Sequence, residues 1–285
     1  MLLAMIGGGK AGNVISPNPN TIAAADAFNL DLTALMAKNL VPALVALVVT
    51  LALAGWLARR GGGLGAAAAP GAEGGCGAAA TTGAERERPP LVAALAGPFV
   101  VVALLSLRPL CGWKVDPLVA LPLGGIVAAA ACGRVRRMAE FAEYGLSKVA
   151  GVAVLLVGTG TLAGIIKSSG LTGDVIGCLQ ACHLPAWALA PVSGVLMAAA
   201  TASTTAGATI ASQTFAGALA EAGVPALPAA AMIHAGATVA DSLPHGSFFH
   251  ATGGAVFMTI GDRLKLIPWE MAIGISTTLA AMVLR

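Results

Sequence analysis

Three of the four histidines of the chain and one aspartate lie in a single stretch, "HAGATVADSLPHGSFFHATGG" at residues 234–254. Such side chains can bind a metal, exchange protons or line a polar path. The spacing of His234, His245 and His250 differs from HExxH, in which two ligands at i and i+4 share one helix face. We therefore expect no metal site here. A metal-dependent hydrolase within the membrane, built on these histidines and Asp241, is the alternative.

Asp241 is the most costly group of this stretch, because burial among apolar residues penalises a charged carboxylate. His245 follows four residues later. We expect this pair to couple proton movement to transport; a structural role for Asp241, as a helix cap or a histidine partner, is the alternative. His234 is expected to be a packed histidine that bonds to a neighbouring helix.

Two further polar stretches interrupt apolar sequence. "GNVISPNPNTIA" at residues 12–23 cannot form one continuous helix, because each proline lacks an N–H group and clashes with the preceding turn. "ATASTTAGATIAS" at residues 200–212 is rich in hydroxyl groups. Amide and hydroxyl side chains can bind a hydroxy acid without the desolvation cost of a buried charge. The predicted substrate-binding residues are Asn13, Ser16, Asn18, Asn20, Thr21, Ser203, Thr204, Thr205 and Ser247, and capping of broken helix ends is the alternative role for each.

The composition is that of a multi-pass membrane protein. Of 285 residues, 57% are hydrophobic and 10% are charged, against roughly 25% charged residues in soluble domains. The mean hydropathy is +0.86. The 37 glycines suit closely packed helices in lipid. The net charge of +3 is small and scattered, which argues against nucleic acid as a partner. No phosphate loop or dinucleotide motif is present, so neither a cofactor nor an enzymatic activity is expected.

Apolar segments long enough for helices recur along the chain. Residues 40–58 would cross a hydrocarbon core of roughly 30 Å at 1.5 Å per residue. Residues 61–90 are rich in Gly, Ala and Pro and predict a flexible cytoplasmic loop. The other apolar segments lie at residues 91–107, 117–132, 146–166, 184–200, 224–240 and 268–284.

Clusters of arginine predict the orientation of these segments. Arg59 and Arg60 precede the 91–107 segment, and Arg134 follows two crossings later, so both clusters are expected in the cytoplasm. Arg263 is expected at the same surface. This requires residues 184–222 to enter and leave by one face, which predicts a re-entrant hairpin. Lys10, at the end of an apolar run, is expected to reach the interface with its long side chain.

The chain resembles the gluconate:proton symporter (GntP) family at three polar stretches. They are "GNVISPNPNTIAAADAF" from residue 12, "ATASTTAGATIAS" at residues 200–212, and "HAGATVADSLPHGSFFHATGG" at residues 234–254, which "RLKLIPWE" follows. Members of that family carry a pattern like THGxLPPHPGP where this chain has "GKAGNVISPNPNT". This departure argues against gluconate itself and leaves other small hydroxy or amino acids open. The resemblance as a whole implies proton-coupled transport of small organic acids, gluconate-like sugar acids or related hydroxycarboxylates, across the inner membrane.

The resemblance implies an inverted-repeat secondary transporter with a re-entrant hairpin and broken helices. Matched onto this chain, residues 1–60 are a remnant of the first repeat and residues 91–285 form the second. The second repeat contains the hairpin at 184–222 and a broken helix at 224–260. The first repeat is expected to be incomplete, as in an N-terminally truncated chain, and an inactive transporter fragment is a further alternative. The family also implies a possible homodimer.

Overall fold

The helices follow the apolar segments of the sequence. The computed structural model describes residues 2–59, 90–113, 115–170, 173–174, 177–178, 181 and 185–285, and all regular secondary structure in these ranges is helical. This confirms the predicted all-α class for the described residues. Such a result is expected in lipid, where a helix satisfies its own backbone hydrogen bonds. The flexible loop predicted at residues 61–90 lies, except for residue 90, outside the described residues.

The α-helices are numbered here in chain order. They are α1 (Leu2–Ile15), α2 (Pro19–Ala27), α3 (Leu32–Lys38), α4 (Leu40–Arg59), α5 (Leu91–Cys111), α6 (Pro117–Ala131), α7 (Met138–Ser168), α8 (Leu189–Thr201), α9 (Thr204–Glu221), α10 (Ala226–Ala237), α11 (Ser247–Ala255), α12 (Ile260–Leu264) and α13 (Ile267–Val283). Short 3₁₀ turns at Val135–Arg137 and Ala186–Ala188 precede α7 and α8.

The chain divides into two compact units. The first consists of Met1–Ala67 and Val154–Arg285, and the second of Ala68–Ala153. In the second unit α5 packs against α6. Gly97 and Gly124 allow this contact, because a Cβ atom at Gly97 would lie 2.8 Å from the carbonyl oxygen of Gly124. The first unit carries all the predicted substrate-binding and proton-coupling residues.

Within the first unit, the hairpin region consists of α8 and α9 joined by a two-residue turn. Ala202 in this turn has a φ of 46°, the left-handed conformation that ends α8. Both helices pack against α10, and α9 also packs against α2. Close approach of α8 and α10 depends on Gly236, where a Cβ atom would lie 2.5 Å from the carbonyl oxygen of Pro191. The small-residue packing expected from composition is therefore present here.

Among the described helices, two stretches are long and apolar enough to cross a membrane: Leu40–Arg59 and Ile260–Val283. Shorter apolar stretches of 10–17 residues lie in other helices, among them Leu91–Leu107 in α5 and Val157–Ile166 in α7. In helix α4, the exposed fractions of Leu44, Val48 and Leu51 are 52%, 65% and 63%. A helix surface this apolar is suited to hydrocarbon rather than to water.

Both predicted chain breaks are present. Helix α1 ends at Ile15 and α2 begins at Pro19, with Asn18 as the N-cap between them. Helix α10 ends at Ala237 and α11 begins at Ser247, so residues 238–246 connect them without a helix. Helix α2 starts at Pro19. Proline suits this position because a backbone N–H group in the first turn of a helix has no acceptor within the helix, so its absence from proline removes no hydrogen bond.

Arg263 does not lie on the surface as expected. Its side chain is buried, and its guanidinium forms an ion pair with the buried Glu270. It also donates hydrogen bonds to Thr252 Oγ1 at 3.2 and 3.3 Å, and its guanidinium carbon lies 4.8 Å from the ring centroid of Phe249. The expectation was wrong because Glu270 follows on α13 and supplies a carboxylate at the α12–α13 corner.

Candidate functional site

A cavity of about 390 Å³ lies in the first unit, where the two breaks meet the turn between α8 and α9. Every predicted substrate-binding residue except Asn20 and Thr21 lines it, as does Asp241. The structure therefore brings together side chains from three separate parts of the sequence. The lining residues are Gly9, Lys10, Asn13, Ser16, Asn18, Ala202, Ser203, Thr204, Thr205, Asp241, Ser247 and Phe248.

Lys10 and Asp241 form a buried ion pair on the wall of this cavity. Lys10 Nζ lies 2.6 Å from Asp241 Oδ1, and the two residues are 3% and 5% exposed. Lys10 also donates to the backbone carbonyl of Thr238. Thr204 Oγ1 donates to Asp241 Oδ2 at 2.8 Å, and Ser242 Oγ donates to Oδ1 at 2.9 Å. Both charges are thus compensated by an opposite charge and by polar groups, as buried charges require.

The expectation that Lys10 reaches the interface was wrong. Its ammonium turns inward because Asp241 provides an opposite charge at the cavity wall. The signal in the sequence was a lysine within a 14-residue helix that has no other charged residue. An ionisable side chain inside an apolar segment is by default a candidate for function, and its partner lies within the same cavity.

Three helices begin at the cavity. Asn18 caps α2 by accepting a hydrogen bond from Thr21 N at 3.0 Å, and Ser203 caps α9 by accepting one from Ala206 N at 3.3 Å. Gly246 precedes α11 and provides no side-chain cap. The capping alternative is therefore correct for Asn18 and Ser203, which also line the cavity. The first N–H groups of a helix lack acceptors within it and, with the helix dipole, favour anions.

Asn20 and Thr21 support the lining rather than belong to it. Both are buried at the start of α2. Asn20 Nδ2 donates to Asn13 Oδ1 at 2.9 Å and lies 2.9 Å from His234 Nε2. Thr21 Oγ1 donates to Asn18 Oδ1 at 3.0 Å. These residues hold in place the side chains that face the cavity.

The histidines are spread apart. His234 is fully buried against Asn20, in agreement with the expectation of a packed histidine bonded to another helix. His245 and His250 are exposed, and His250 Nε2 lies 2.8 Å from the carbonyl oxygen of Pro244. His245 does not line the cavity. Across the described residues, no group of three or more His, Cys, Asp or Glu side chains could hold a metal ion.

The chain is 51% identical over 281 residues to a protein of Haemophilus influenzae named as an uncharacterized transporter. The similarity supports a transporter. It covers 99% of this chain and 64% of the relative, so the chain spans less than two thirds of that protein's length. No protein-family model and no solved structure matches the chain.

Proposed function

We propose that the chain carries the binding site of a proton-coupled secondary transporter for small organic acids in the bacterial inner membrane. The observation that supports this most strongly is the buried Lys10–Asp241 ion pair on the wall of a polar cavity. A paired cation and anion buried in an apolar protein interior cost stability compared with apolar residues. Their presence is explained if binding or release of a substrate requires them.

The lining of the cavity suits a small anion with hydroxyl groups. Lys10 supplies the full positive charge, and the starts of α2, α9 and α11 add partial positive charge. Around them, Asn13, Thr205 and Ser247 offer donors and acceptors for hydroxyl groups. At about 390 Å³ the cavity is near the lower end of the usual range of ligand pockets, about 300–1,000 Å³. We therefore propose gluconate-like sugar acids or smaller hydroxycarboxylates as substrates.

The ion pair provides a way to couple the anion to a proton. A substrate carboxylate that accepts a hydrogen bond from Lys10 competes with Asp241 for the same ammonium. Asp241 then loses its counter-charge in a buried position, which favours its protonated form. Anion and proton enter together, so the net charge of the cavity does not change. His245 is exposed and lies outside the cavity lining, so the proposal assigns the coupled proton to Asp241 alone.

The remaining features of the proposal come from the resemblance to gluconate:proton symporters. They are two inverted repeats, a re-entrant character for the α8–α9 hairpin, and a homodimer. Arg59 at the end of α4 fits a cytoplasmic end of that helix under the positive-inside rule. The metal-dependent hydrolase is less well supported, because the described part of the chain gathers no metal-binding group.

Binding to the purified chain tests the substrate class. D-gluconate, D-glycerate and D-serine are compared with glucose and glycerol by thermal shift in detergent. We expect the hydroxy acids to raise the unfolding temperature, because a ligand that binds the folded state stabilises it. Lys10→Met should abolish the shift with D-gluconate, while Lys265→Met, in an exposed ion pair, should keep it. Equal shifts with glucose and D-gluconate would exclude an anion site.

A further inference from the structure

The amide of Asn13 is fixed in one orientation by its neighbours. Its Oδ1 accepts hydrogen bonds from Asn18 Nδ2 at 2.8 Å and from Asn20 Nδ2 at 2.9 Å. Two donors on the carbonyl oxygen leave the Nδ2 group as the part of this amide that is available to a ligand. Asn13 lines the cavity, so the cavity wall carries a hydrogen-bond donor at this position.

Asn20 fixes that orientation from a buried position. It is 1% exposed, and its Nδ2 lies 2.9 Å from both Asn13 Oδ1 and His234 Nε2. Its own Oδ1 accepts a hydrogen bond from Thr205 Oγ1 at 3.4 Å. Both N–H groups of Asn20 are therefore committed, one to each neighbour. If Asn20 were reversed, its oxygen would face the oxygen of Asn13.

His234 is the second partner of the Asn20 amide group. With Asn20 Nδ2 as the donor in this contact, His234 Nε2 accepts and the neutral ring carries its proton on Nδ1, so the tautomer of His234 and the orientation of Asn20 are linked. His234 is fully buried, and its Nδ1 has no hydrogen-bond partner among the described residues. Packing alone would be served by an apolar side chain of similar size, without a buried polar atom left unpaired. The polar ring therefore points to a role through Nε2.

We propose that His234 is a positioning residue that sets substrate specificity: acting through Asn20, it holds the Asn13 amide with its N–H groups toward the cavity. This rests on the proposed transport of organic acids. A donor at Asn13 favours a carboxylate or a hydroxyl oxygen. The reversed amide would present an oxygen and repel an anion. Through Asn20, which is 214 residues away in sequence, the acceptor on His234 thus decides the sign of the partial charge that the substrate meets at Asn13.

Three variants separate this role from packing. His234→Gln keeps an acceptor at the end of the side chain, whereas His234→Leu removes it. Met232→Leu is the matched control, since Met232 lies on the same helix, is fully buried and belongs to an apolar cluster. We expect His234→Leu to weaken D-gluconate binding by about tenfold, the scale of one hydrogen bond to a charged group. His234→Gln and Met232→Leu should stay within about twofold of the original protein.

A second comparison tests whether the effect passes through Asn13. In an Asn13→Ala background, His234→Leu should cause no further loss of D-gluconate affinity, because interacting residues are not additive. A further tenfold loss in that background, or a failure of His234→Gln to restore binding, would overturn the proposal in favour of a packing role.

A measurement without ligand keeps this test separate from the proposed function. With ¹⁵N-labelled asparagine side chains in detergent, the Asn13 amide signal is identified by its loss in Asn13→Ala. It should move in His234→Leu and stay in place in Met232→Leu. If His234→Leu does not fold, Asn20→Asp, which replaces the donor by an oxygen, should move the same signal. An unmoved signal in the folded variant overturns the inference; a moved signal without D-gluconate binding contradicts the proposed substrate alone.

Discussion

Lys10 Nζ lies 2.6 Å from Asp241 Oδ1 although 231 residues separate them in the chain. The contact joins the first helix to the break between α10 and α11 at the wall of the polar cavity. Neither residue could be buried alone without a large desolvation cost. Helix α1 and the break between α10 and α11 are therefore held together at the position where we propose that the substrate binds.

Removal of one partner of the Lys10–Asp241 ion pair should lower the stability of the folded chain. Lys10→Met leaves the buried Asp241 carboxyl group without its counter-charge, so that it either stays an unpaired anion or takes up a proton, and we expect a loss of about 3–5 kcal/mol of stability. The double variant Lys10→Met with Asp241→Leu should recover most of this loss, since no charge stays buried. Thermal unfolding in detergent measures both. Lys265→Met, in the exposed pair with Asp262, should leave the unfolding temperature nearly unchanged. A double variant as unstable as the single one would contradict this account.

The Arg263–Glu270 pair should stabilise the corner formed by α11, α12 and α13. Arg263→Met removes the contacts with Glu270 and Thr252 and leaves a buried carboxylate, so we expect a loss of about 3–5 kcal/mol. The matched control is Arg137→Met, in an exposed pair with Glu140, which should have little effect. Similar unfolding temperatures for the two variants would show that the buried pair contributes no more than the surface pair.

Ser247→Asp should lower the affinity for D-gluconate without lowering the stability of the folded chain. An acidic residue in the first turn of α11 interacts favourably with the helix dipole, so the unfolding temperature should be unchanged or slightly raised. The new carboxylate faces the cavity and repels an anion, so D-gluconate affinity should fall by more than about tenfold. Ala139→Asp places the same charge in the first turn of α7, outside the cavity lining, and should leave affinity unchanged. Equal affinities for the two variants would remove Ser247 from the site.

The local breaks in this fold could be predicted from the sequence, because Pro17 and Pro19 act on their own backbone. The gathering of Asn13, Ser203 and Ser247 around one cavity agrees with the grouping expected from polar side chains in apolar sequence. The pairing of Lys10 with Asp241 could not be read from either residue, since it depends on how distant helices pack. The coupling of Asp241 with His245 stays a prediction from the sequence; the four-residue spacing does not bring the two side chains onto one helix face here, because residues 238–246 are not helical.

The proposal that Asp241 carries the coupled proton is tested most directly by D-gluconate uptake into proteoliposomes under an imposed inward proton gradient. The unmodified chain should accumulate D-gluconate, and a protonophore should abolish this. Asp241→Asn cannot exchange a proton at this position, so it should still exchange D-gluconate across the membrane but lose accumulation driven by the gradient. Asp262→Asn, in the exposed pair with Lys265, should behave like the unmodified chain. Gradient-driven accumulation by Asp241→Asn equal to that of the unmodified chain would contradict the account.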